Sequence, residues 1–291
     1  MKRLIPLFAA AVVLVLAGCG NRSGDIVFEH GAYRESGGYV DYEIFVIDAD
    51  GSQLEQLTDP YDYYKYYEGN PAWSPDGDRI AFVSDRNGNH EIFVMDADGT
   101  HVQQLTDNDG RDAYPAWSPS GDRIAFVSDR DGDSEIFVMD ADGTRLQQLT
   151  DNGDGDENPA WSPSGDRIAF VNDRHGVWDI FVMDVDGAHV QQLTDNDDWD
   201  QHPAWSLAGD RIAFQSDRDG DSEIFVMDAD GTHVQQLTDN DRYDEYPAWS
   251  PSGDRIAFVS DRDGVWDIFV MDADGTNVVK LNQQGINPDW R

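Results

Sequence analysis

Pro-Ala-Trp returns in this chain at a fixed interval, and that interval limits the possible folds more than any other feature. Trp73, Trp117, Trp161, Trp205 and Trp249 stand 44 residues apart, each preceded by Pro-Ala. A degenerate copy, Asn287-Pro288-Asp289-Trp290, ends the sequence. A period of this size belongs to solenoids and propellers, whose units cannot bury their apolar surface alone and must stack.

One repeat, residues 115–158, shows how each unit is built. Pro115–Ser118 reads as a short first strand, since proline is tolerated where no ladder donor is needed. Pro119–Asp122 is a tight turn, with Pro and Gly in turn positions. Arg123–Ser128 is a second strand, Asp129–Ser134 a polar loop and Glu135–Asp140 a third strand. Ala141–Thr144 turns the chain back through Gly143, and Leu146–Thr150 is a fourth strand. The runs Ile-Ala-Phe-Val and Ile-Phe-Val-Met are apolar on both faces, whereas a strand with one wet face would alternate. Each sheet is therefore expected to be covered on both sides by its neighbours.

The termini carry complementary fragments. The first unit supplies strands near Ile26–Phe28, Glu43–Ile47 and Leu54–Leu57 but lacks the Pro-Ala-Trp strand, and the last unit is only that strand. Joined, they complete one blade. The prediction is an all-β, six-bladed β-propeller over residues 26–291, with four-stranded blades and a C-terminal strand that joins the N-terminal blade. Closure of this kind protects the ends that an open solenoid, the competing architecture, would leave exposed.

Residues 1–18 read as an export signal: Lys2-Arg3 is a basic start, and Leu4 to Leu16 is an apolar run too short for a comfortable membrane span. Leu16-Ala17-Gly18-Cys19 resembles the bacterial lipobox, which implies lipidation of Cys19 and a tether over residues 19–25. The plainer alternative is a secretory signal with an incidental cysteine. Gly20, where a retention Asp would stand, favours the outer membrane. Cys19 is the only cysteine, so no disulfide forms within the chain.

The repeat as a whole resembles the TolB-type propeller repeat. The resemblance rests on Pro-x-Trp-Ser-Pro-x-Gly, Ile-Ala-Phe, Ser-Asp-Arg, Ile-Phe-Val-Met-Asp and Gln-Leu-Thr-Asp, and covers residues 26–290. It implies a propeller of the bacterial envelope, on the periplasmic face of a membrane, with a protein or peptide partner. A propeller hosts many unrelated activities, so the fold alone does not assign one.

With 58 acidic and 20 basic residues the formal net charge is −38, and Lys2, Lys65 and Lys280 are the only lysines. Such a field repels nucleic acid and anionic membrane surfaces, and suits cations or basic partner patches. Adaptation to concentrated salt is the alternative cause.

Positions that differ between copies mark the expected binding surface, because they cluster in the loops between blades and between the second and third strands. Glu68, Asp112, Asp156, Asp200 and Asp244 stand three residues before each Pro, with Gly285 in the sixth copy. They predict a broken acidic ring at the channel mouth, where like charges call for a cation or basic group. The structural alternative is that these acids only cap strand starts. The residue before Pro is Asn70, Tyr114, Asn158, His202, Tyr246 or Asn287, and Tyr and His offer flat contact area with a polar tip. Tyr61, Tyr63, Tyr64, Tyr66 and Tyr67 fill the longest of these loops, and Trp199 adds another aromatic. The expected partner-binding residues are Glu68, Asp112, Tyr114, Asp156, Asp200, His202, Asp244 and Tyr246.

Asp129–Glu135, repeated at Asp217–Glu223, spaces carboxylates on a glycine loop in a way that suits calcium, although Asp129 and Arg130 can instead pair internally. Nucleophile-elbow, zincin and phosphate-loop motifs are absent. His101, His189 and His233 share one hairpin place in different blades and cannot converge, which leaves His202 as the histidine near the axis. The expected protein is thus a non-catalytic, lipid-anchored, monomeric binding module. A divalent-cation-dependent propeller enzyme acting on a sugar or lactone is the alternative, and a purely structural role in high salt is a third reading.

Overall fold

A computed structural model describes residues 25–32, 41–58 and 66–291. The export signal, Cys19, Tyr61, Tyr63 and Tyr64 lie outside the described residues.

Six four-stranded antiparallel sheets form the blades of a propeller. Strands are counted here from the axis outward. In blade one the order is Ile286–Trp290, Asp25–Ala32, Asp41–Asp48 and Glu55–Gln56, so the C-terminal strand is the innermost one. Its register sets Ile26 opposite Trp290 and Val27 opposite Asp289. Blade three, formed by Asp112–Trp117, Arg123–Ser128, Glu135–Asp140 and Gln147–Gln148, represents blades two to five, and blade six differs in its longer outer strand, Val279–Gln284.

Two strand boundaries differ from the sequence reading. The first strand begins at Asp112, three residues before Pro115, because Asp112 pairs with Ser128 and its N–H reaches the carbonyl of His90 in the preceding blade at 2.8 Å. Pairing skips from Ala113 to Ala116, so Tyr114 and Pro115 form a bulge rather than a strand start. The fourth strand shrinks to Gln147–Gln148, since it is the outer edge and its polar side chains leave little to pack.

The core lies between blades, which is why the strands are apolar on both faces. Ala81, Val83, Ile92 and Val94 of blade two meet Trp117, Ile124, Phe126, Phe137 and Met139 of blade three. The same pattern repeats at every interface, including the closing one, where Ile26, Phe28 and Trp290 meet Ala257, Val259 and Ile268 of blade six. The Trp that ends each innermost strand (Trp73, Trp117, Trp161, Trp205, Trp249 and Trp290) is at most 8 % exposed, and truncating such a residue costs about 3–5 kcal/mol.

A second ring of contacts runs alongside. Arg79, Arg123, Arg167, Arg211 and Arg255 each lie over the Trp of the next blade, 4.5–4.9 Å from the ring centre. Blade one has Asp25 where the others have this Arg, and Arg291 fills the gap: it lies 4.1 Å over Trp73 and 3.6 Å from the Asp25 carboxylate.

Candidate functional site

The six innermost strands enclose an axial cavity of about 720 Å³. Its wall is the Pro-Ala-Trp motif itself. The residues before proline ring one end, and Pro75, Pro119, Pro163, Leu207 and Pro251 of the strand one–strand two turns ring the other.

All six pre-proline residues are left-handed, with φ between +46° and +55°. Asn tolerates this conformation, whereas Tyr and His carry a steric cost there. Three copies use Asn (Asn70, Asn158, Asn287), and three accept the cost (Tyr114, His202, Tyr246). The side chains of the second group are half-buried on the channel wall. His202 and Tyr246 meet with ring centres 4.1 Å apart. The Nδ1 of His202 lies 2.8 Å from Gln215 Oε1, an acceptor, so Nδ1 carries the proton and Nε2 is left as an acceptor. Burial lowers the His202 pKa to about 4, which keeps the ring neutral.

Two residues of this site were not singled out from the sequence. Glu29 and Gln215 occupy the fifth place of the second strand, which is Val83, Val127, Val171 and Val259 in the other blades. Each reaches across to the next blade. Glu29 accepts hydrogen bonds from the Asn70 N–H at 2.7 Å, the Tyr67 hydroxyl at 3.1 Å and the Asn287 amide at 2.7 Å. Gln215 accepts from the Tyr246 N–H at 3.4 Å. Burial pushes the pKa of Glu29 up to about 7. The available signal was a polar residue at a register position that is otherwise apolar in the chain's own repeats.

The carboxylates expected to form an acidic ring sit elsewhere. Asp112, Asp156, Asp200 and Asp244 are fully buried and Glu68 is 6 % exposed, and none of them lines the channel. Each begins a first strand and is held inside its own blade, four of them by an arginine and Asp156 by side-chain amides. Arg130 grips both oxygens of Asp112 at 3.0 and 3.1 Å, Arg218 grips Asp200 at 2.8 and 2.9 Å, and Arg262 holds Asp244 at 2.8 Å. Arg86 pairs with Glu68. In blade four Asn172 replaces the usual Ser and donates to Asp156 at 2.7 Å, while Arg174 turns to Asp154. The paired arginines also lie over the Phe pair of the same sheet, as Arg130 does over Phe137 at 4.9 Å. An uncompensated ring at the axis therefore does not form, and these acids are buried rather than solvated caps.

The loop face carries its own aromatic surface. Tyr67 stacks on His90 with ring centres 4.8 Å apart, and Arg111 Nε lies 3.2 Å from His90 Nδ1. Trp199 and Tyr243 are half exposed, at 51 % and 50 %. His101, His189 and His233 remain on separate exposed hairpins, each within 2.8 Å of its own Asp. Among the described residues no three His, Cys, Asp or Glu side chains come together to hold a metal ion. In blade three the calcium-like loop is used internally: Asp129 accepts the Arg111 N–H at 2.5 Å and Arg130 pairs with Asp112.

Comparison with known proteins agrees with this geometry. The model of the TolB beta propeller domain matches residues 61–198, 155–246 and 200–290. No curated protein matches the chain. Among solved structures, TolB from Acinetobacter baumannii superposes with a TM-score of 0.77 at 25% identity, over 93% of this chain and 67% of that one. A putative TolB from Agrobacterium tumefaciens gives 0.72 at 25% identity, over 91% of this chain and 92% of that one. Oligogalacturonate lyase from Vibrio parahaemolyticus gives 0.56 at 15% identity, over 89% and 73%, a likeness that shows the fold alone. The chain therefore belongs to the TolB beta propeller domain family.

Proposed function

We propose that this protein is a non-catalytic binding module of the bacterial envelope that receives a segment of a protein or peptide partner in its axial channel. The observation that carries the reading is the asymmetry of the pre-proline ring. Tyr114, His202 and Tyr246 occupy a conformation that Asn fills without strain in the other three blades. Strain kept at a concave, aromatic surface is accounted for by contact with a ligand. Rigid aromatic rings with polar tips are suited to gripping an extended chain. Glu68, Asp112, Asp156, Asp200 and Asp244 serve the site by fixing where each innermost strand starts. Lipidation at Cys19 would hold the propeller at the periplasmic face of a membrane, the outer one by the Gly20 reading, and the −38 charge keeps nucleic acid away.

The test is recovery of envelope partners by the monomeric protein and by a Tyr114→Asn/Tyr246→Asn variant. The account expects the variant to fold and unfold cooperatively, with Asn relieving the left-handed strain, and to lose its partner. Undiminished recovery would remove the channel from the binding reading.

A further inference from the structure

The repeats allow each blade junction to be compared with its copies in the same molecule, and one junction leaves three side-chain oxygens without hydrogen-bond donors. Between blades two and three, the Asn89 amide donates to the carbonyls of Asn108 and Gly110 at 2.9 and 2.5 Å. The Asn108 side-chain oxygen accepts the Gly110 N–H at 2.8 Å. Asp112 has both oxygens bonded, by Arg130 and Asn108. Every oxygen named there has a donor.

Between blades five and six the same register places hold Asp221, Asn240, Arg242 and Asp244. The donor amide of Asn89 has become a carboxylate. Asp221 Oδ2, Asn240 Oδ1 and Asp244 Oδ1 are all inaccessible to solvent and all lack a hydrogen-bond partner. Asp244 is itself fully buried, and Arg262 and Asn240 hold only its Oδ2, at 2.8 and 2.9 Å. Burial and then repulsion from Asp219, Asp241, Asp244 and Asp239 raise the pKa of Asp221, so negative charge converges on this carboxylate. The other copy with a carboxylate in this place, Asp133, differs: the Asn152 side-chain oxygen accepts the Asp154 N–H at 2.9 Å, Asp156 is bonded on both oxygens, and a single oxygen there, Glu135 Oε2, lacks a donor.

The geometry points to a calcium site at the junction of blades five and six, ligated by Asp221, Asn240 and Asp244 through their unpartnered oxygens, with the main-chain carbonyls at Asn240 and Arg242 that the equivalent amide caps elsewhere. Oxygen-only donors from two loops, with amide and carbonyl groups beside carboxylates, suit a hard cation that takes six to eight ligands and tolerates irregular geometry. Magnesium demands a stricter octahedron and keeps its water. The site is independent of the channel, whose lining includes none of these three residues, and its role is to tie the two loops together.

Terbium luminescence excited through the protein's aromatic residues tests this on the full chain in about 0.15 M salt, an ionic strength that screens diffuse surface charge. One saturable terbium per chain, displaced by calcium, is expected. Asp221→Asn restores the donor found at the blade two–three junction. It should weaken binding at least tenfold, and its unfolding midpoint should no longer rise with calcium. Asp133→Asn should behave as wild type. Absence of saturable emission, equal binding by the Asp221→Asn variant, or loss of binding in Asp133→Asn instead would each overturn the assignment.

Discussion

Tyr114 and Asp112 lie two residues apart and carry different costs. Tyr114 sits at φ +51°, where a non-glycine side chain costs about 1–2 kcal/mol and Asn least. Tyr114→Asn relieves that strain but gives up packing against the apolar clusters on both sides of blade three, so the midpoint of thermal unfolding should fall less than for Phe126→Ala while partner capture weakens. Asp112 is fully buried against Arg130, whose side chain is 18% exposed. Arg130→Met removes the only cation that neutralises it. Leaving a buried charge unpaired costs about 3–5 kcal/mol, and adding Asp112→Asn should recover part of the loss in a urea titration. The identities of the pre-proline residues were readable in the repeat. Their left-handed backbone was not, because it follows from a bulge that no local residue preference dictates. The carboxylates were readable as a set, but their arginine partners lie 18 residues on and become neighbours only through strand pairing.

At the scale of strands, Glu29 ties the second strand of blade one to the first strand of blade two and to the C-terminal strand. Its pKa is raised from 4.5 to about 7 by burial, so the folded state favours the protonated form. The resulting stability is fully present below about pH 4.5 and is lost as pH rises through about 7. A shift of that size corresponds to about 3 kcal/mol. Glu29→Gln, which copies the Gln215 arrangement of blade five, should flatten the decline of the unfolding midpoint between pH 5 and pH 8 relative to wild type. A wild-type midpoint that climbs over this range would contradict the assignment. The second and third strands were legible from their continuous apolar runs, and Arg123–Ser128 and Glu135–Asp140 stand where the runs place them. Glu29 escaped notice because the first repeat, out of phase and lacking its own Trp, gives the weakest reference for what its strand should contain.

The whole molecule depends on closure. One apolar cluster fills each of the six interfaces, and the one between blades six and one needs Trp290 from the tail. The tail does more than add a strand. The Asp289 carboxylate accepts the Trp73 N–H at 2.6 Å, and Arg291 covers Trp73 and faces Asp25. That the ends would meet was legible, since each terminal unit lacked what the other held. That Arg291 would replace the cation missing from blade one was not, because the two places are far apart in the chain and share no motif.

Thermal unfolding of a chain ending at Gln284, followed by tryptophan fluorescence beside the intact protein, addresses that closure directly. Loss of Trp290 alone removes about 3–5 kcal/mol of burial. The shortened chain should therefore unfold at a clearly lower temperature and less cooperatively, with emission already shifted to the red at the start as Trp73 is uncovered. An unchanged midpoint, cooperativity and emission would mean that the tail does not complete the ring and that the six pre-proline side chains do not share an axis.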